Sequence, residues 1–185
     1  EVSPSLSGTE WFKVKFKNLL SSYANIIPDK WQKQVIVESY LSPINVIKLQ
    51  LALRQFPTPF YPKILSPNLP DNKKLREELS GLTVNNYFES LLTKILPQQI
   101  PKVFLEGYSE MQKISLAKFP KKPKVILTSI GLDLNDGFKF WAAHHSNKIK
   151  LTGIQHGGGW GSARFGVIES HDLQVFDRFY SWGES

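Results

Sequence analysis

Short apolar runs alternate with stretches of helical period along most of this chain. Val35-Ile36-Val37 reads as a buried strand. Ser42-Pro43 behind it is a good helix start, with serine at the N-cap and proline in the first turn. That helix is expected from Pro43 to about Gln55. Prolines at 57, 59, 62, 67 and 70 then predict an irregular connection over 57–72. Helical patterns follow at 73–80, 84–96 and 98–118, with apolar positions that include Phe88, Leu91, Leu92 and Ile95, then Val103, Phe104, Tyr108 and Met111. From Pro123 the period changes. Lys124 to Ser129 reads as a second strand and Asn135 to Ser146 as a helix whose apolar face holds Phe138, Trp141 and Ala142. Lys150 to Gln155 is a third strand, 167–176 a helix and Arg178 to Trp182 a fourth strand.

Strands alternating with helices predict an α/β fold: a doubly wound, mainly parallel, Rossmann-like sheet with extra helices. Residues 1–32 read as a separate N-terminal segment. Phe12, Phe16, Leu19 and Leu20 give it a short amphipathic helix that ends before Pro28. Residues 33–185 form the α/β domain, with a helical and proline-rich insertion over about 57–120. The chain begins at Glu1 and stops at Ser185 just after the fourth strand, so the expectation is a piece of a longer protein.

Composition narrows the chemistry. The 185 residues are 41% hydrophobic, enough for a real core. There is no cysteine, which removes disulfides, thiolate catalysis and cysteine metal sites and suits a reducing compartment. No apolar run approaches the ~20 residues needed to span a bilayer. The net charge of +7 comes mostly from scattered lysines. Nucleic-acid readers cluster arginine with interleaved aromatics, and this chain does not, so no nucleic-acid partner is expected. The charge reads first as a solvated surface, and second as attraction to a phosphate-bearing ligand or an anionic membrane.

In a doubly wound sheet, ligands bind outside the carboxyl ends of the strands. Thr128-Ser129-Ile130-Gly131, Gln155-His156-Gly157 and the stretch after Trp182 satisfy that condition. Gly157, Gly158, Gly159 and Gly161 crowd the third-strand loop, and glycine loses the most conformational entropy on ordering. Such a loop leaves room for a ligand beside a titratable imidazole, and His156 can take a proton from a hydroxyl. The glycines could form a nest of N–H groups for an anion, or simply a turn. They match neither the Walker pattern nor GxGxxG. Glu169-Ser170-His171-Asp172 packs three ionisable groups together, read either as a solvated helix start or as a functional cluster. No convincing zinc spacing is present, so no metal is expected. His144-His145 reads as the close of a helix.

The block Gly153-Ile154-Gln155-His156-Gly157-Gly158-Gly159-Trp160-Gly161, then Glu169-Ser170-His171-Asp172, then Asp177-Arg178-Phe179-Tyr180-Ser181-Trp182-Gly183, resembles a family of transferases encoded in bacterial surface-carbohydrate gene clusters. Trp160 stands where that family has Tyr, and Asp172 where it has Glu. More distantly it is similar to capsule-polysaccharide and polyol-phosphate transferases. The resemblance implies half of a GT-B architecture, the acceptor-side domain, with a C-terminal domain for a nucleotide-activated donor beyond this chain. The fragment alone is then expected to be inactive. It further implies His156 as the catalytic base toward a carbohydrate or polyol-phosphate acceptor, or as a donor to phosphate oxygens. Gln155, Gly157, Gly158, Gly159, Ser129, Arg164, Glu169 and His171 would bind substrate, and Asp177 and Arg178 would fix the domain junction. No cofactor is implied. The implied location is cytoplasmic, with peripheral association at the inner face of the membrane. The competing reading is a non-catalytic ligand-binding module with a degenerate Rossmann-like fold.

Overall fold

The computed structural model describes residues 26–58, 64, 67–157, 164 and 166–182. The helix expected around Phe12, Phe16, Leu19 and Leu20 lies outside them. Strand β1 (Gln34–Val37) leads into helix α1 (Pro43–Ala52). The α1 start is as expected: Ser42 accepts a hydrogen bond from the Asn45 N–H at 3.4 Å, and Pro43 opens the first turn. It ends at Ala52, short of Gln55, because Arg54 adopts a φ of 55°. The Gln55 amide instead pairs with the backbone of Gln34, accepting from its N–H at 2.9 Å and donating to its carbonyl at 2.7 Å.

Helices α2 (Lys73–Ser80) and α3 (Tyr87–Gln99) are capped by Asn72 and Asn86. The expected helix over 98–118 is divided. Pro101 precedes a 3-10 turn at Lys102–Phe104, and Gly107 starts α4 (Tyr108–Lys118). Arg76 holds this junction. Its guanidinium donates to the carbonyls of Pro97 and, at 3.3 Å, Ile100, and grips the Glu106 carboxylate at 2.7 and 2.8 Å. It thereby satisfies carbonyls that the end of α3 leaves without an N–H. The same bond is the main reason the Glu106 carboxyl titrates at about 2.

The second half supplies β2 (Val125–Thr128), a short helix α5 (Gly131–Leu134) that the sequence pattern did not predict, α6 (Asp136–His145), β3 (Lys150–Ile154), α7 (Val167–Val175) and β4 (Arg178–Tyr180). Among the described residues the sheet runs β1-β2-β3-β4, with every pair parallel. Val35, Ile126 and Leu151 fall in register across one face. Phe138, Trp141 and Ala142 of α6 pack against them, as their spacing predicts, together with Phe119 and Phe176. Trp141 is fully buried, stacks on Phe119 at 5.0 Å and donates its indole N–H to the Pro120 carbonyl at 2.9 Å. The other side of α6 is buried too, because Phe140 packs with Val103 and with Met111 of α4. Ile36 and Thr152, on the opposite sheet face, are also buried. Parallel sheets are stable only when both faces are covered. The fold is α/β, Rossmann-like and doubly wound, as expected. Among the described residues no helix is long and apolar enough to cross a membrane.

Two substitutions test these contacts. A Cβ at Gly153 would lie 2.5 Å from Phe176 and 2.6 Å from Phe179. Gly153→Ala should therefore cost roughly 1–3 kcal/mol, read as a fall in the urea midpoint. For Glu106, the folded state holds the carboxyl below its unfolded value. Its contribution is complete above the unfolded pKa and is lost as pH falls toward about 2. Glu106→Gln should lower the midpoint at pH ~7, and the gap from the parent should close as the pH is taken below about 4.

Candidate active site

Parallel pairing releases four loops at one edge of the sheet. Glu38-Ser39-Tyr40 follows β1, Ser129-Ile130 follows β2, Gln155-His156-Gly157 follows β3 and Ser181-Trp182 follows β4. Backbone bonds continue past the strand ends and fix these loops to one another. The Glu38 carbonyl accepts from the Ser129 and Ile130 N–H groups at 3.0 and 3.2 Å, and the Gln155 N–H donates to the Tyr180 carbonyl at 2.8 Å.

Gln155 is buried, and its side chain is committed to structure. Its Oε1 accepts from the Trp182 N–H at 2.8 Å, and its amide nitrogen donates to the Gly157 carbonyl at 3.4 Å. It joins the β3 and β4 loops and so aims the residue that follows. Gly157 has a φ of +72° with open space around it, a conformation that favours glycine. Gly158 and Gly159 lie outside the described residues.

His156 comes out of this turn with 16% of its side chain exposed. Its Nε2 lies 3.8 Å from Oδ2 of Asp172 and 4.0 Å from Oδ2 of Asp133. Those distances are longer than hydrogen bonds, so the carboxylates act on the ring mainly through their field. The Tyr40 ring lies nearly parallel to the imidazole, at 23° and 6.4 Å between centroids.

Asp172 is the deepest charged group at the site. It is 1% exposed, on the inner face of α7. Its Oδ1 is 3.4 Å from His171 Nδ1, and its Oδ2 has no hydrogen-bond partner among the described residues. Burial raises its pKa and the Asp133 charge raises it further, while the His171 contact and the charges of both histidines oppose the rise without cancelling it. The Asp172 carboxylate thus stands between two imidazoles, one inside the site and one outside.

The other expected residues divide. Ser129 is buried within the β2 loop, and its Oγ has no partner among the described residues. His171 is largely exposed and reaches the site only through Asp172. Glu169 is half-buried in the first turn of α7, with Oε2 3.4 Å from where a Cβ on Gly166 would stand. Arg164 is exposed. Asp177, expected at a domain junction, binds the Leu151 N–H at 2.8 Å and Lys150 Nζ at 3.0 Å, tying β4 to β3. Sequence reasoning missed Asp133 and Tyr40, and it chose Glu169 and His171 over their neighbour Asp172. The i, i+3 spacing placed Glu169 and Asp172 on one helix face, but only the packing of α7 shows which of them is buried. Among the described residues no cluster of histidines and acids could hold a metal ion.

Fold and site together define a Rossmann-like α/β protein with polar residues gathered at the carboxyl edge of its sheet. A family model described as LIC12162 family transferase matches residues 4–185, and the chain belongs to that family. No curated protein and no solved structure matches it.

The position of Asp172 has a measurable consequence. Its carboxyl is harder to ionise folded than unfolded, so its charge destabilises the fold once pH rises above the unfolded value, and has no effect where both states are protonated. Asp172→Asn should therefore raise Tm at neutral pH, and the gain should vanish below about pH 4. A lower Tm for the variant at neutral pH would show that attraction to His156 and His171 outweighs burial.

Proposed function

We propose that this chain is the acceptor-side domain of a glycosyltransferase-like enzyme of bacterial surface-polysaccharide synthesis. In this reading His156 is the general base. The observation that carries it is the placement of a mostly buried imidazole at the carboxyl edge, with Nε2 facing Asp172 and Asp133. An acceptor hydroxyl brought to this edge can deliver its proton to the imidazole. As the oxygen attacks the activated carbon of the donor, the imidazole becomes cationic. The two carboxylates then stabilise the cation that forms. Asp172 is a positioning residue: it orients the ring and holds the developing cation, and its own proton stays outside the reaction.

The transferred group comes from a nucleotide-activated donor held by a further domain, and its nucleoside phosphate leaves with the bonding electrons. The acceptor belongs to the carbohydrate or polyol-phosphate class, and the enzyme works at the cytoplasmic face of the membrane. Family membership supports the transferase part of this reading, and the carboxyl-edge geometry supports the placement of its base.

The test is made in the transferase that carries this chain, by following nucleotide release from a panel of nucleotide sugars in the presence of glycoside acceptors. His156→Ala should lower kcat by roughly 10²-fold or more with little change in Tm. Unchanged turnover would remove the base. A collapse of Tm would assign His156 to the fold.

A further inference from the structure

We infer that Tyr40 is the stacking platform of the acceptor site, and that the acceptor it selects there is an uncharged sugar ring and not a phosphate-bearing polyol. The inference rests on the transferase reading above and deepens it. Three observations carry it. Tyr40 is 69% exposed, yet its ring stands near-parallel to His156. Glu38 and Tyr40 both adopt left-handed backbone, with φ of 48° and 55°, in residue types that disfavour it. The Glu38 carbonyl is held by the Ser129 and Ile130 N–H groups, so neighbouring structure enforces the strained turn. Burial of the ring does not account for that strain, because the ring faces water. Non-glycine residues held in this region cluster at ligand clamps, where strain presents a side chain in advance.

An exposed aromatic face has a negative quadrupole and a large apolar area. The C–H face of a pyranose, slightly positive and flat, fits it, and the hydroxyls at the ring's rim then reach the imidazole. An open-chain polyol has no such face. Charge points the same way. His156 pairs with Asp133 and Asp172, and among the described residues neither of those acids pairs with a lysine or arginine. A phosphate brought to this point would meet two carboxylates.

Saturation-transfer NMR on the chain tests the inference, with methyl β-glucopyranoside, glycerol 3-phosphate and uridine monophosphate as probes at millimolar concentration and neutral pH. The ring C–H protons of the glycoside should receive transfer. Tyr40→Ala should weaken glycoside binding roughly two- to tenfold, and Tyr40→Phe should retain it. Tyr40→Gly should raise Tm while losing the transfer, which separates a strained platform from a folding role. The inference is overturned by no transfer in the parent chain, by equal transfer in Tyr40→Ala, by a lower Tm in Tyr40→Gly, or by Tyr40-dependent transfer to either phosphate probe that exceeds that to the glycoside. If His156→Ala keeps full turnover while Tyr40 still governs glycoside contact, the base assignment falls and the platform stands.

Discussion

The site depends on the parallel hydrogen-bond ladder from β1 to β4. Antiparallel pairing would send every second loop to the opposite edge and separate Ser129 and Trp182 from His156. Parallel pairing puts all four carboxyl ends together, and the ladder does not stop where the strands do. The Glu38 carbonyl, the Gln155 N–H and the Gln155 side chain carry it into the loops. His156 is therefore positioned by regular backbone bonding close behind it. A side chain held this way loses little conformational freedom on meeting a ligand. The ladder in turn depends on α6, which covers one face of the sheet with Phe138 and Trp141 and is covered on its own outer side by α4.

The electrostatics of the site run against the charge of the whole chain. The protein carries +7, but His156 faces two carboxylates, one of them buried. Burying a carboxylate costs free energy unless it is fully bonded, and one oxygen of Asp172 has no hydrogen-bond partner among the described residues. That cost falls when His156 becomes cationic, because the pair is then neutral overall. In the proposed reading that relief accompanies the transfer of a proton to His156.

Much of the fold was legible in the sequence. The apolar residues within 35–37, 124–129 and 150–155 gave strands close to their observed bounds, because parallel strands covered on both faces bury apolar side chains on each side. Ser42-Pro43 marked the start of α1 correctly, since capping is a local matter. The failures were also physical. The 98–118 pattern hid a break at Pro101 and Gly107, because both flanking pieces keep apolar residues toward the same core. Helix α5 is too short to show a period. At the site, the strand end and the glycine run located His156. Tyr40 and Asp133 left no signal, because their meeting with His156 depends on the register of β1 and β2 and not on any spacing within one segment. The two left-handed residues at Glu38 and Tyr40 carry none of the glycine or asparagine that would advertise such a turn.

Asp172 and Asp177 show how far residue type is from role. Both lie in the segment that resembled the transferase signature, and both are aspartates. Asp177 accepts from a backbone N–H and from Lys150, and these bonds draw its pKa down. Its charge is settled, and it serves as a bracket between strands. Asp172 is enclosed in α7, where burial and Asp133 push its pKa up. Its charge is contested, and it responds to whether the histidine beside it is protonated. A carboxylate with a settled charge can hold a structure together but has little to offer a reaction. One whose pKa burial has raised feels the charge of its neighbour, and that difference places Asp172 in the electrostatics around His156 and Asp177 in the frame of the sheet.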